Sequence, residues 1–379
     1  MTGDGAQQSS TPASGKPTGD LNPHGMPERS RVDRDAVKPR RRSRRRGRGE
    51  ELMVPEAEFR SYYGRPIIKA PVWKNPDVPL YLFLGGLAGS SSVLAAMASA
   101  TDRPTLRRSG RYAALGGALG GTVFLIHDLH RPSRFLHMLR VFKPTSPLSV
   151  GSWILSPFAA FATATAAAEA VEGYLAGRSG GQFVKQAGNA AGVATAVVGP
   201  ALATYTAVLF SNTAVPTWHE AHRHLPVLFA GSSAAAGGGL GLMFASVRDN
   251  EPAARLAVAG AVVELATERK MTSDLGLLAD VYEKGRAKTL LTISKACLVA
   301  GALGAVVGRR KRWSAALSGA ALMAGSALTR FAVFDAGIAS ANDPAHIVVP
   351  QRERIRRREE AVQAGTTPPD RKYVPAAGS

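Results

Sequence analysis

From residue 77 to residue 336 the chain is a succession of apolar stretches separated by short polar connections. Each is near the ~20 residues a helix needs to cross a bilayer. Nothing else in the sequence limits the fold so tightly. Open-edged strands cannot span lipid, because their backbone N–H and C=O groups would go unpaired there, so the stretches are helices. Spans are expected at about 78–100, 110–129, 150–172, 187–210, 225–247, 252–268, 288–308 and 313–336. The sixth is short and carries Arg255 and Glu264. It could instead be interfacial or tilted, which leaves seven as the fallback count. Small residues crowd the spans, as in Gly116-Gly117, Gly120-Gly121 and Gly237 to Gly239, and small side chains let helix backbones approach closely in lipid.

The flanks are the opposite in character. Of the net charge of +19, the segment 29–48 alone holds eleven Arg/Lys against Asp33 and Asp35. Residues 1–50 have no apolar run to offset the entropy of ordering, so they are expected to be disordered. The run Arg40 to Arg48 is followed by Glu50-Glu51 rather than an apolar stretch, which argues against a twin-arginine signal. It reads as a solvated tail that sets topology and touches anionic lipid, with no nucleic-acid partner expected. An even number of spans puts both basic tails on one side. Arg131, Arg134, Arg140 and Lys143 of loop 130–149 fall there too, as do Arg269, Lys270, Lys284 and Arg286. The other side carries Arg103, Arg107 and Arg108 and the run Arg309 to Arg312. The balance places both termini in the cytoplasm, in a plasma-membrane protein.

One cysteine, Cys297, excludes intrachain disulfides, a Cys-ligated iron–sulfur cluster and a four-Cys zinc site. The six His residues outside the tails (His127, His130, His137, His219, His222 and His224) lie at span ends and none is mid-span. Neither haem nor a metal site is expected. No P-loop, nucleotide glycine fingerprint or G-x-S-x-G occurs, so no catalytic residue is assigned. What remains is the set of ionisable groups at membrane depth, each costly in lipid unless paired or watered. These are Asp128, Glu169, Glu264, Lys295, Arg330 and Asp335. Glu169, Glu264 and Lys295 are either structural pairs or parts of a proton path. Asp128, beside His127, His130 and Arg131, is either an ion-paired helix end or a proton-exchanging carboxylate.

The stretch Asp128-Leu129-His130-Arg131-Pro132, continuing through Pro144-Thr145-Ser146-Pro147-Leu148-Ser149-Val150-Gly151-Ser152-Trp153, resembles the D-L-G-R-P…P-x-S-P-M-S-x-G-S-W signature of the NrfD/polysulfide reductase membrane-subunit family. Pro79 to Gly86, Tyr205-Thr206 and Val215-Pro216-Thr217-Trp218-His219 are similar to further family segments, and the likeness covers about 73–340. His130, Leu148 and Ala207 stand where the family usually has Gly, Met and Gly. The resemblance implies an all-α integral membrane protein of about eight helices in two four-helix bundles. It implies a subunit without haem or iron–sulfur cluster that anchors an iron–sulfur protein and a molybdopterin oxidoreductase. Such a subunit exchanges electrons with menaquinone or ubiquinone held in the first four helices. Asp128, Tyr205, Thr206, Tyr81, Asn75, Trp73 and His127 are the expected quinone and proton-exchange residues. Arg131, Arg134, Arg140, Lys143, Trp218 and His219 are the expected docking residues. The expected division is a tail at 1–72, a membrane domain at 73–340 and a basic tail at 341–379. The rival reading is a proton- or solute-translocating bundle.

Overall fold

The computed structural model describes residues 67–69, 71–129, 131–175, 177–178 and 180–364. Residues 1–50, expected to be disordered, lie outside the described residues. The described elements are helical: α1 (Asp77–Ala100), α2 (Pro104–Asp128), α3 (Pro147–Leu175), α4 (Gly181–Ser211), α5 (Pro216–Glu220), α6 (Leu225–Phe244), α7 (Glu251–Asp274), α8 (Gly285–Val307), α9 (Arg312–Asn342) and α10 (Ala345–Gln363). Three 3-10 segments, Pro132–Leu139, Ala221–Arg223 and Gly276–Tyr282, join them on one face. Proline in the first turn of α2, α5, α6 and α7 suits the start of a helix, where its missing N–H has no partner to lose.

Helices α1 to α4 pack as one four-helix bundle and α6 to α9 as a second, with α1 against both α6 and α9 at the seam. The most apolar stretches of α1 and α6 are 61% and 67% buried, against 28% for α3 and α8. The first two are therefore interior helices and the last two line the flanks. Outward-facing Leu119, Val123, Val197, Leu303 and Leu317 are more than half exposed, the surface that lipid would cover.

Eight helices fall at the eight expected spans, but only α1, α3, α4, α6, α8 and α9 are long and apolar enough to cross a membrane by length and composition. The other two carry their charges inward. Helix α2 brings Arg107 and Arg111 to Glu169 and Glu172 of α3, and α7 buries Glu264 and Glu268. The basic residues opposite the face of Asp128 are also partly consumed. Arg312 donates to the carbonyls of Leu242 and Met243 at the end of α6, where a cation also complements the negative end of the helix dipole. Of the expected basic tail, Ala345–Gln363 forms a helix, α10, tied back through Arg354 to Glu220.

Candidate functional site

Residues 73–77 lead into α1 by threading between four other elements. Trp73 stacks on Phe210 of α4 and Trp218 of α5, with ring centroids 5.3 and 5.5 Å away, and those two rings stack at 4.2 Å. The main-chain N–H of Lys74 donates to Asp128 Oδ1 at 2.9 Å, and its ammonium donates to the His127 carbonyl at 2.9 Å. Asn75 Nδ2 donates to Asp335 Oδ1 of α9 at 3.1 Å, and Asp335 also pairs with Arg286 at 3.3 Å. At the start of α1, buried Asp77 meets His127 Nδ1 at 2.7 Å, with the His127 side chain 71% exposed. Lys74, Asp77 and Arg286 are partners that the sequence reading missed. Asp77 resembles an ordinary acidic residue in the first turn of a helix, and only the structure brings it to His127.

Just inside this ring, Tyr81 and Tyr205 pack edge to face with centroids 6.5 Å apart. The Tyr205 ring fills space that Gly151 leaves, since a Cβ there would lie 2.1 Å from its Cε2. Tyr205 Oη and Thr206 Oγ1 are buried and have no hydrogen-bond partner among the described residues. Leaving such a group unpaired costs about 1–3 kcal/mol, so these hydroxyls are donors available to an oxygen of a bound molecule. Asp128, in contrast, is half-buried and held by Lys74 rather than by Arg131.

The expected docking residues divide. Arg131, Arg140 and Lys143 are exposed, and their side chains make no hydrogen bond or ion pair with a described residue. Apolar Leu136, Val141 and Phe142 are exposed among them. The Arg134 side chain and His130 lie outside the described residues. His219 is exposed, with Nδ1 3.1 Å from the Ser211 carbonyl oxygen. Trp218 is a core residue instead: it is fully enclosed and its indole N–H donates to the Val333 carbonyl at 2.8 Å. A large apolar ring whose one polar atom finds a partner inside belongs there.

The three residues of the expected proton path also separate. Glu169 is locked between Arg107 and Arg111, at 3.1 and 3.0 Å. Lys295 pairs with buried Glu268 at 2.8 Å. One turn along α7, Glu264 is 1% exposed, and the hydroxyls of Thr329 and Ser232 face its carboxyl group. Nearby Arg330 is fully buried and donates to the Phe229 carbonyl and Ser233 Oγ at 2.9 and 3.0 Å, leaving Nε and Nη1 unbonded. Glu264 is the acidic group acting on it electrostatically. Around them the hydroxyl pairs Ser232–Ser326 and Ser294–Thr329 close at 2.7 Å each. Toward the face of Asp128 lies Tyr282, whose phenol is pushed up by burial and by the charge of Glu268. Glu268 and Tyr282 escaped the sequence reading because each looks like an ordinary residue near a helix end.

The family model described as polysulphide reductase, NrfD, matches residues 69–322, more than half of the chain. This chain belongs to the NrfD family. No curated protein matches it. The NrfD match takes in Trp73, Asp128, the loop through Trp153, Tyr205, Trp218, Glu264 and Lys295, while Arg330 and Asp335 fall beyond it. NrfD proteins are membrane subunits of polysulphide reductase-type complexes, and the spans described here fit a multi-pass membrane protein.

Proposed function

We propose that this NrfD protein is the quinone-interacting anchor of a molybdopterin/iron–sulfur oxidoreductase complex. It passes electrons between an iron–sulfur partner and menaquinone or ubiquinone in the plasma membrane. The observation that carries this reading is the buried, unpartnered Tyr205 hydroxyl beside Tyr81. It lies toward the face that also bears exposed Arg131, Arg140 and Lys143, which have no partner among the described residues. A bound quinone supplies two-electron, two-proton redox chemistry. Tyr205 donates a hydrogen bond to one of its oxygens, and Thr206 offers a second hydroxyl. His127, reaching water on one side and Asp77 on the other, exchanges protons at this rim. Asp128 holds residues 73–75 in place and stands beside that exchange.

Proton movement coupled to this chemistry is assigned to buried Glu264, to Arg330, whose Nε and Nη1 are unbonded among the described residues, and to the pair of Glu268 and Lys295 at 2.8 Å. The same atoms favour the rival, a translocating bundle without redox partners. Tyr205→Phe and Asp128→Asn separate the two readings. Both variants should retain their partner subunits, with iron–sulfur clusters still reducible by the catalytic subunit. Exchange with a quinone analogue should fall about ten-fold or more, the scale of lost positioned proton transfer. Near-normal exchange in both would place the site elsewhere.

A further inference from the structure

The basic run Arg309-Arg310-Lys311-Arg312, at the turn from α8 to α9, has no part in the proposed function and lies on the face opposite Asp128. Arg312 is engaged by carbonyls at the end of α6. The side chains of Arg309, Arg310 and Lys311 make no hydrogen bond or ion pair with a described residue. Their turn is nonetheless held, because fully buried Asn250 donates through Nδ2 to the Arg309 carbonyl at 3.1 Å. That bond brings the run beside the first turn of α7, where Arg255 pairs with Glu251 at 2.6 Å. Across residues 246–255 and 308–313, six cations (Arg248, Arg255 and the four of the run) face two carboxylates, Asp249 and Glu251. The surplus is strongly positive. The adjoining α1–α2 turn, tied on through Arg103 to the Arg248 carbonyl at 3.4 Å, adds Arg103 and Arg108 against Asp102.

Inward of these cations α7 and α8 part to leave a groove of about 400 Å³. Glu251, Arg255 and Arg309 stand at its rim, and Ala254, Val258, Ala305 and Val306 form its walls. Val258 and Val306 each lie three residues inward of a rim arginine, about 4.5 Å along the helix. A further turn inward, Val262 and Leu303 are more than half exposed, so the groove opens onto the surface that lipid would cover. Trp313, at the start of α9, is also more than half exposed. An indole in that position marks the membrane–water boundary, which sets the basic run at headgroup level.

We propose that this groove seats one anionic phospholipid, with its phosphodiester among Arg255, Arg309, Arg310 and Lys311 and an acyl chain along Val258 and Val306. A negative charge at the end of an apolar chain matches cations that stand one turn above apolar walls. A zwitterionic headgroup brings its own ammonium into a region of surplus positive charge and gains less. A bound anion also accounts for a basic run on the side that the Lys/Arg bias leaves poor in such residues. The site shares neither ligand nor residues with the quinone reading, and neither depends on the other.

The test is photolabelling of the full chain in phosphatidylcholine nanodiscs doped with a trace of phosphatidylglycerol that carries a diazirine in one acyl chain. Labelled peptides are mapped by mass spectrometry, which keeps binding at the basic tails apart. The equivalent photoactivatable phosphatidylcholine is the control. Phosphatidylglycerol should label α7 around Val258 and α8 around Val306 at least five-fold more than phosphatidylcholine does. The two lipids should label the outward face of α4 at Val197 equally. Replacing Arg309, Arg310 and Lys311 together by Gln should bring labelling of the groove down to the phosphatidylcholine level. Val258→Trp, which fills the groove and keeps the charges, should lower it at least five-fold, with labelling at Val197 unchanged in both variants. Equal labelling of the groove by the two lipids, or a triple variant that keeps the preference, would overturn the proposal and leave the run as solvated cations. Undiminished labelling in Val258→Trp would overturn the seating of a chain in the groove. Competition by soluble glycerol phosphate as strong as by unlabelled phosphatidylglycerol would overturn it in favour of a free-phosphate site.

Discussion

At the scale of single residues, two aromatic side chains depend on an absent side chain opposite them. A Cβ at Gly337 would lie 1.9 Å from the Trp218 ring, and one at Gly151 would lie 2.1 Å from the Tyr205 ring. These rings have different roles, so the variants should behave differently. Trp218→Ala removes a fully buried indole, at a cost of about 3–5 kcal/mol, and should sharply lower the unfolding temperature in detergent. An unchanged unfolding temperature would mean that the stack of Trp73, Phe210 and Trp218 holds nothing together. Gly151→Ala must move the Tyr205 ring while leaving its hydroxyl chemically intact. It should reduce quinone exchange several-fold with little change in assembly, measured beside Tyr205→Phe. Full activity in Gly151→Ala would mean that the position of the phenol is unimportant.

At the scale of elements, the sequence shows which segments are helices far better than it shows which charges meet. The eight apolar stretches map onto α1 to α4 and α6 to α9 because lipid leaves a chain few alternatives. Pairings such as Asp77 with His127, Asn75 with Asp335, and Lys295 with Glu268 depend on how helices rotate against one another. No spacing within a single helix records that. The helix at Ala345–Gln363 was hidden by its charge, which reads equally as a tail. The link between α2 and α3 offers an element-scale test. Removing one partner of a buried ion pair costs about 3–5 kcal/mol, so Glu169→Gln should destabilise the first bundle by that order in thermal unfolding. Replacing Arg111 and Glu169 together by Met should recover much of the loss. Proton translocation in Glu169→Gln should persist if the path runs instead through Glu264. Its loss in an otherwise folded variant would return Glu169 to the path.

For the whole molecule, the alternation of eight helices brings residues 73–77, 127–153, 211–224 and 275–285 to one face, along with α10. Exposed Arg131, Arg140 and Lys143 lie there as well. If both termini are cytoplasmic, a reporter fused after Ser379 should report the cytoplasm. Activity of a periplasmic reporter at that position would invert the molecule and put its partners outside the cell. The central claim is that this chain passes electrons between a docked partner and a quinone. It is tested most directly by stopped-flow reoxidation of the reduced iron–sulfur partner, with a menaquinone analogue as acceptor, in the presence and absence of the chain. Reoxidation should be fast only when the chain is present, and should slow about ten-fold with Tyr205→Phe. Equal rates with and without the chain would contradict the account.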